Sequence, residues 1–431
     1  MRAPIEPKNF HVAIIGGGIG GLITAISLAY HCPGIKIDVY EQAPQYTEIG
    51  AGVGIAVNAA KILHKFGVGE AANAISGERN KIHRAMRRWD NGGEIVTIGA
   101  DFDQPKIRQL SVHRAEILDV LLDAIRERGI ATLHTNKKCV KLTEVGEQVT
   151  VGFEDGTEAT VDMVVGADGI HSIIRAQFKP DLPRYSGRIC YRGLVPLKDI
   201  ESFWPFDSYA VSWLAPNKHF LVFPISKNKT LNVVAFVSKS QAELDGLKES
   251  WSSYAPRSDM EKEYEGWDET VLKTIRCMPE NPAKWKLNDR EPLSQWTYLN
   301  GKVILLGDSA HAMLPHQGSG AGHAIEDAYI LGRAMQDFFK ASTDPARAQL
   351  SLPVWTQLYQ DVRLPRAQKA QITSRTAGDV YEMQGPDFKG LTYDECLPVV
   401  AQKLTGRMRW VWGGDIDSEY DTQARKLVLP N

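Results

Sequence analysis

The stretch Gly301–Leu331 combines glycine, acid and histidine residues in an order that suits ligand chemistry. A short apolar run, Val303–Leu306, predicts a buried strand that ends at Gly307-Asp308. Pro315 stops any helix, and apolar residues recur at helical spacing after the glycines that follow it. A helix behind a glycine-rich loop presents unpaired N–H groups and the positive end of its dipole. The stretch therefore predicts a site for an anion, or for a ring that becomes electron-rich on reduction, although an ordinary glycine-rich connection has a similar composition.

A second glycine cluster lies near the N-terminus. Gly16, Gly18 and Gly21 follow the predicted strand His11–Ile15 with the spacing G-x-G-x-x-G and precede a helical pattern. They permit, in turn, a tight turn, the approach of a pyrophosphate, and the packing of helix on strand. The next predicted strand ends in Glu41, whose carboxylate can accept hydrogen bonds from a ribose 2′-OH and would repel a 2′-phosphate. This unit predicts a tightly held dinucleotide other than NADP.

Three further residues are candidate ligand-binding positions. Gly54, in the glycine-rich stretch Ile49–Ala59, presents its backbone to a flat ring or a ribityl chain, or belongs to a simple loop. Arg114 lies in the first turn of the predicted helix Ser111–Ile125, where the dipole disfavours a cation. It therefore binds a phosphate or ribose, or is an ordinary surface arginine. Asp168 stands between glycines at another strand-to-helix junction and is a ligand residue or a helix N-cap.

Residues 186–285 differ from their surroundings because they are rich in aromatic and β-branched residues. We predict an antiparallel sheet with one face over a ligand cavity. Within it, Arg192 could bind a carboxylate or stabilise a phenolate, and His219 could carry a phenolic proton near neutral pH. A surface arginine and a plain strand histidine are the alternatives.

Composition excludes several classes of protein. The chain has 431 residues and a formal net charge of -2, which gives no electrostatic basis for binding nucleic acid or an anionic membrane. Its five cysteines are dispersed without metal-like spacing, so we expect reduced thiols and no metal site. No run approaches the roughly 20 apolar residues that span a bilayer, and no secretory leader is expected at the start. We predict a soluble, cytoplasmic protein.

The C-terminal part is predicted to be helical. A long helical pattern begins near Pro353, and Pro365 is expected to kink or interrupt it. Trp410 and Trp412, close to the end, are expected to anchor the tail onto the core.

Taken together, the motifs make the chain resemble the group A flavoprotein monooxygenases. Three motifs in the family's order carry the resemblance: the glycine fingerprint with Glu41, Asp168-Gly169, and Gly307-Asp308 followed by Pro315. Within the family the chain is similar to the salicylate hydroxylase branch. Three stretches carry that similarity: Gly307–Asp327, Tyr191–Leu194 and Arg409–Trp412.

The resemblance implies an α/β fold. A Rossmann-like FAD-binding domain of the para-hydroxybenzoate hydroxylase type would carry an inserted antiparallel β-sheet substrate domain and a helical C-terminal part. The FAD-binding domain is expected at residues 1–185 and 286–345, and the substrate domain at residues 186–285. Residues 346–431 would form a helical segment packed on the FAD-binding domain.

The resemblance also implies the site residues. The cofactor-binding set is Gly16, Gly18, Gly21, Glu41, Gly54, Arg114, Asp168, Asp308, Gly320 and Ala321. The helix that begins near Gly320 would stabilise reduced, anionic flavin. The catalytic set is Arg192, His219, Pro315 and His316. Pro315 and His316 would lie beside the flavin ring. Some relatives carry a tyrosine four residues after the histidine, where this chain has Phe223.

The activity implied is hydroxylation of a phenolic or benzoic-acid-type ring, with or without loss of a carboxylate. FAD would be bound, and NADH or NADPH would bind transiently and reduce it. O2 would add to the reduced flavin to give a C4a-hydroperoxide, which the substrate ring attacks. The alternative is the same flavin chemistry on another ring, for oxidative dearomatisation, epoxidation or N-heterocycle hydroxylation. The partners expected are a small aromatic substrate and O2, in a monomer or homodimer.

Overall fold

Runs of β-branched and aromatic residues form the strands of the computed structural model, which describes residues 5–46, 52–77, 81–244, 253–344, 347 and 349–427. Residues 49–51 of the predicted stretch Ile49–Ala59 lie outside this part. In chain order the strands are β1 (His11–Ile15), β2 (Lys36–Tyr40), β3 (Gly52–Ile55), β4 (Ile82–Arg88), β5 (Glu94–Gly99), β6 (Leu110–His113), β7 (Thr132–His134), β8 (Cys139–Val145), β9 (Gln148–Phe153), β10 (Glu158–Val161), β11 (Met163–Gly166), β12 (Arg184–Pro196), β13 (Val211–Ala215), β14 (Lys218–Ile225), β15 (Thr230–Ser238), β16 (Ala283–Asp289), β17 (Thr297–Tyr298) and β18 (Val303–Leu305).

The helices carry apolar residues at helical spacing and mostly bury one face. In chain order they are α1 (Ile19–His31), α2 (Val57–Lys65), α3 (Gly69–Ile75), α4 (Arg114–Arg128), α5 (Ile173–Phe178), α6 (Arg257–Glu263), α7 (Glu269–Arg276), α8 (Asp308–His311), α9 (Gly320–Thr343), α10 (Leu352–Tyr381), α11 (Tyr393–Leu404), α12 (Arg409–Trp412) and α13 (Ile416–Lys426). Within the described ranges, no helix is both long enough and apolar enough to cross a bilayer.

The predicted dinucleotide-binding unit is a six-stranded sheet with the order β17-β18-β11-β1-β2-β7. Every neighbouring pair is parallel except β17 with β18. Because parallel strands end at the same edge, the loops after β1, β11 and β18 meet there. The three predicted strand-to-helix junctions therefore converge on one edge of this sheet.

The first of these junctions requires glycine. Gly16 has φ +110°, and a Cβ built on it would lie 2.3 Å from the carbonyl oxygen of Ala167. A Cβ on Gly21 would lie 1.9 Å from the carbonyl oxygen of Gly16. Because such approaches are forbidden for any larger residue, these two glycines bring α1 and β1 together and join the first junction to the second.

The second large sheet has seven strands in the order β16-β12-β15-β14-β13-β4-β5. It is larger than the predicted segment 186–285, because β4 and β5 come from earlier in the chain and β16 continues to Asp289. Every neighbouring pair among β12 to β16 is antiparallel, as predicted for this segment. Outside the segment, β4 pairs in parallel with β13 and covers an edge that would otherwise stay open.

Alternation along the central strands separates two faces of this sheet. Tyr191, Phe220 and Val233 point to an apolar core that α6 and α7 cover. The neighbouring residues Arg192 and Leu221 point to the opposite face, toward the parallel sheet. That second face carries the substrate-side candidates.

The long helix α10 joins the two regions and is not interrupted at Pro365. A proline inside a helix removes one backbone hydrogen bond and crowds the preceding turn. Here the flanking Arg363 and Arg366 are held by buried acids on α9, which offsets that cost. The helix therefore continues to Tyr381, beside the seven-stranded sheet.

Candidate active site

A cavity of about 490 Å³ is lined by the converging loops of the parallel sheet and by the inner face of the seven-stranded sheet. This volume lies in the range typical of small-molecule and cofactor sites. Most of the candidate residues line it: Gly18, Gly54, Arg114, Arg192, Asp308, Pro315, His316, Gly320 and Ala321. The structure thus brings together candidates that lie up to about 300 positions apart in the sequence.

Five candidates do not reach the cavity wall within the described part of the chain. Gly16 and Gly21 lie behind it in the first glycine turn, where they set the packing described above. Glu41 lies at the end of β2, and its carboxylate accepts hydrogen bonds from the backbone N–H groups of Gly17 and Ala43, each at 2.8 Å. The other two, Asp168 and His219, form hydrogen bonds within the protein that indicate structural roles.

Asp168 caps a helix. Its carboxylate accepts hydrogen bonds from Ser172 Oγ at 2.6 Å and from the backbone N–H of Ile173 at 2.8 Å. The adjacent Ala167 and Gly169 line the cavity, and Gly169 has φ +78° with open space where a Cβ would be. Backbone at this junction thus faces the cavity while the acid holds α5 in place.

Two helix N-termini open onto the cavity. Helix α1 begins after Gly18 and α9 begins after Ser319, and neither N-cap residue makes a side-chain capping hydrogen bond. Their first N–H groups therefore point at the cavity with the positive ends of two helix dipoles. Asp308 is exposed between buried neighbours, and its Oδ1 lies 3.9 Å from a Cβ built on Gly320. The arrangement suits an anionic group at one end and hydroxyl groups beside Asp308.

A buried carboxylate holds the Gly307-Asp308 turn. Asp327 Oδ2 accepts hydrogen bonds from the backbone N–H of Gly307 at 3.1 Å and from His311 Nε2 at 2.6 Å. Its other oxygen accepts from Arg363 Nε at 2.7 Å. Burial alone would raise the pKa of Asp327, but the charges of His311 and Arg363 outweigh it and lower the pKa to about 2. Asp327 is therefore ionised and positions the turn.

Glu326 extends this buried network. Its carboxylate pairs with Arg363 at 2.6 Å and with Arg366 at 2.9 Å, and it also accepts from Asn58 Nδ2 at 2.6 Å. Although burial favours the neutral acid, the two guanidinium groups lower the pKa of Glu326 well below its usual range. Sequence reasoning missed this network. In the sequence, the network is visible only as acids and arginines within two helical patterns. Those patterns do not show which of these side chains are buried against each other.

Arg192 projects from β12 into the cavity. Its Nε donates to Asn232 Oδ1 at 3.3 Å and its Nη2 donates to the carbonyl oxygen of Gly52. Among the described residues it forms no ion pair with a carboxylate. Burial lowers the pKa of Arg192 to about 10, and the nearby Arg114 cation acts in the same direction. A guanidinium left with only neutral partners is suited to an anionic ligand.

His316 and His219 form a buried pair, but only His316 lines the cavity. Their ring centroids lie 5.3 Å apart, and the His219 ring stacks on Phe236, which also lines the cavity. His219 Nδ1 lies 2.9 Å from Glu382 Oε1. Burial lowers the pKa of His219 and lowers the pKa of His316 further below 6.5. The predicted proton carrier His219 thus stands one layer behind the wall.

Comparison with known proteins identifies the architecture. A family model described as an FAD binding domain matches residues 9–370. The chain belongs to the FAD-dependent aromatic monooxygenases. It is 33% identical to a salicylate hydroxylase from Pseudomonas putida, over 95% of this chain and 94% of that protein. It is 31% identical to a 3-amino-4-hydroxybenzoate 2-monooxygenase from Streptomyces platensis, over 95% of this chain and 97% of that protein.

A solved structure confirms the fold of this FAD-dependent monooxygenase. A salicylate hydroxylase in complex with its substrate superposes with a TM-score of 0.80 at 30% identity, covering 96% of this chain and 98% of the other. The predicted family, the α/β fold class and FAD as cofactor are therefore confirmed.

The residues around the cavity fit FAD independently of these similarities. The two uncapped helix N-termini suit the pyrophosphate and the electron-rich edge of a flavin. Gly54 and Gly320 leave room for close approach, since Cβ atoms built on them would meet nothing nearer than 3.8 Å. The exposed carboxylate of Asp308 has the acceptor chemistry that ribityl hydroxyl groups require.

Proposed function

We propose that this monooxygenase hydroxylates a phenolic or benzoic-acid-type aromatic compound, with NADH or NADPH as reductant and O2 as oxidant. One observation carries the proposal: Arg192 is half-buried, its guanidinium has only neutral partners among the described residues, and it opens into the same cavity as the two helix N-termini. The two relatives and the solved structure are named for hydroxybenzoate substrates, which supports the same substrate class for this protein.

The cofactor-binding roles follow from the positions of the residues. The backbone after Gly18 would hold the pyrophosphate, Glu41 the adenosine ribose and Asp308 the ribityl chain. Backbone N–H groups at Gly320 and Ala321 would face the flavin pyrimidine edge. When bound, FAD supplies the electron transfer from NAD(P)H and the activation of O2.

The remaining residues would act on the substrate. Arg192 would hold an oxyanion on the ring through its guanidinium N–H groups. His316 would accept the phenolic proton at a ring nitrogen, since both of its nitrogens lack hydrogen-bond partners among the described residues. His219, whose Nδ1 lies 2.9 Å from Glu382 Oε1, would orient and polarise this site from behind. Pro315, exposed on the cavity wall, would exclude water from the ring.

The decisive experiment is to purify the protein and record its visible spectrum. NADH and NADPH oxidation is then followed together with O2 uptake, with and without salicylate. A flavin spectrum with salicylate-stimulated oxidation is expected. Catechol as product would show that the carboxylate is lost, and a dihydroxybenzoate would show that it is kept. Stimulation only by enones or N-heterocycles would overturn the benzoate assignment and favour the same chemistry on another ring.

Compartment and assembly are part of the proposal. The five cysteines are free and four of them are buried, which suits reduced thiols in the cytoplasm. We propose a monomer or homodimer. Size-exclusion chromatography with light scattering tests it, and a larger assembly would refute it.

Arg192→Ala is expected to raise KM for the aromatic substrate about 10- to 100-fold, because a charge-assisted contact is worth roughly 1.5–3 kcal/mol. FAD content should stay at the wild-type level. Steady-state kinetics and product yield per NADH measure the effect. The control is Arg276→Ala, an exposed arginine at the end of α7 in the same sheet region. Unchanged KM and yield in the Arg192 variant would exclude it as a substrate residue.

His316→Gln is expected to lower kcat at least about tenfold, the lower range for loss of a general base. Because the pKa of His316 lies well below 6.5, the wild-type base stays neutral as the pH falls. The wild-type kcat/KM should therefore not decline between pH 8 and pH 6.5, the range in which an ordinary histidine begins to charge. A decline with a midpoint near 6.5 that vanishes in the variant would contradict the lowered pKa.

A further inference from the structure

A second arginine, half-buried, faces the cavity from a strand near the other end of the seven-stranded sheet. Arg84 lies on β4, and its Nη1 donates to Ser212 Oγ on the adjacent β13 at 3.2 Å. Its guanidinium carbon lies 5.8 Å from the centroid of the Phe223 ring. Arg84 forms no ion pair with any acid that the structure describes.

A third arginine approaches from the C-terminal part. Arg407 lines the cavity just before α12, and its Nη2 donates to the carbonyl oxygen of Thr373 at 2.7 Å. Its Nε is buried without a hydrogen-bond partner, and in the described part of the chain no carboxylate pairs with it. The nearby acid Asp379 is instead paired with Arg188 at 2.8 Å.

Tyr381 lies near both of these arginines. It is the last residue of α10, and its hydroxyl donates to the carbonyl oxygen of His316 at 3.1 Å. Burial raises the pKa of Tyr381, and the charges of Arg84 and Arg407 both oppose that rise. Arg84, Tyr381 and Arg407 all line the same cavity, so the two guanidinium groups face one space.

Two half-buried cations that face one cavity are costly unless an anion joins them. Burial lowers the pKa of both Arg84 and Arg407, and neither forms an ion pair with a described carboxylate. Guanidinium groups suit planar carboxylates, which they bind with parallel N–H donors. The acids that line the cavity are Asp101, which lies near Arg409, and Asp308, which is next to Gly320.

Arg84 and Arg192 approach the cavity from opposite sides of one aromatic side chain. Paired residues form a row across the sheet: Arg192, Val234, Leu221, Ser212 and Met86. Arg84 lies two residues from Met86, at one end of this row, and its guanidinium is near the Phe223 ring. Phe223 pairs with Asn232 on β15, and Asn232 accepts a hydrogen bond from Arg192 at the other end of the row. The space between the two cations is thus floored by apolar and aromatic side chains, as a substrate ring requires.

We propose that Arg84 and Arg407 form an anion subsite that binds the carboxylate of an aromatic acid, while Arg192 holds the phenolic oxygen of the same ring. This inference rests on the proposed function. It adds that the substrate carries a carboxylate and that these two residues select for it.

The test compares each acid with its neutral amide on the FAD-loaded enzyme. Dissociation constants are measured by flavin fluorescence for salicylate and salicylamide, and for 4-hydroxybenzoate and 4-hydroxybenzamide. The variants are Arg84→Gln, Arg407→Gln and the charge-retaining Arg84→Lys. The control is Arg126→Gln, whose side chain is 59% exposed on α4.

In each glutamine variant the acids are expected to bind about 10- to 100-fold more weakly, from the loss of one charge-assisted contact. The amides should change less than about threefold, Arg84→Lys should recover part of the loss, and FAD content should match the control. A merely structural role would weaken acids and amides together, which would overturn the subsite.

Two other results separate the possible failures. An unchanged acid-to-amide ratio with a raised KM for NADH would assign the anion to the nicotinamide cofactor, and the subsite would be wrong. If both glutamine variants keep the wild-type preference for acids over amides and still turn over salicylate, the subsite is wrong. The proposed function would then still stand. No stimulated turnover of any aromatic probe by the wild type would overturn the proposed function itself.

Discussion

Asp308→Ala is expected to yield a protein that purifies without FAD. Asp308 is an exposed acid among buried neighbours on the cavity wall, beside the N-terminus of α9. Its hydrogen bonds to ribityl hydroxyl groups would be charge-assisted, and such bonds contribute roughly 1.5–3 kcal/mol each. Losing two of them would raise the dissociation constant of FAD by about two to four orders of magnitude. The ratio of flavin to protein absorbance and a fluorescence titration of the apoprotein with FAD measure the loss.

The matched control is Asp101→Ala, because Asp101 also lines the cavity but is 67% exposed and lies 3.8 Å from Arg409. That variant should keep its flavin. Asp308→Asn should fall between the two, since the amide oxygen still accepts hydrogen bonds without the charge. A yellow, fully flavinylated Asp308→Ala protein would refute the assignment.

Arg363→Met is expected to lower the free energy of unfolding by about 3–5 kcal/mol, the usual cost of removing one partner from a buried ion pair. Arg363 is fully buried on α10 and pairs with both Glu326 and Asp327 on α9. Methionine fills much of the same space but leaves two buried carboxylates short of their cation. Because Asp327 also holds the backbone of Gly307, FAD affinity should fall as well.

Urea unfolding of the apoprotein measures this change without a contribution from bound cofactor. Arg425→Met, at an exposed position on α13, should stay within about 0.5 kcal/mol of the wild type. In the double variant Arg363→Met with Asp327→Asn, the loss should be smaller than the sum of the single losses, since one uncompensated charge is gone. A loss below about 1 kcal/mol for Arg363→Met would mean that the network is dispensable.

Local patterns were enough for the parts of the molecule that depend on neighbours in the sequence. The spacing of Gly16, Gly18 and Gly21, and the apolar run before Gly307, identified the converging junctions because turn geometry and strand burial are short-range requirements. Those junctions, with the motif at Asp168, were also sufficient to predict the family and FAD, which the comparisons confirm.

Other features depended on pairings that no local pattern contains. The sheet includes β4 and β5 from outside the segment 186–285, because an open edge strand is stabilised by pairing with a strand from elsewhere in the chain. His219 was predicted at the substrate, yet the stacking of Phe236 places it behind the wall. A period of two assigns a residue to a face of the sheet, but it does not say what lies in front of it.

The sequence by itself determined the cofactor, the fold class and the chemistry that the chain can support, because glycine turns and helix N-termini are built from consecutive residues. Only the tertiary structure decided which charges meet. Arg84 and Arg407 line one cavity, and Arg363 pairs with Glu326 and Asp327, although these residues come from segments far apart in the chain. Burial then gives those charges their strength, since an ion without water depends on the few partners that the fold places beside it.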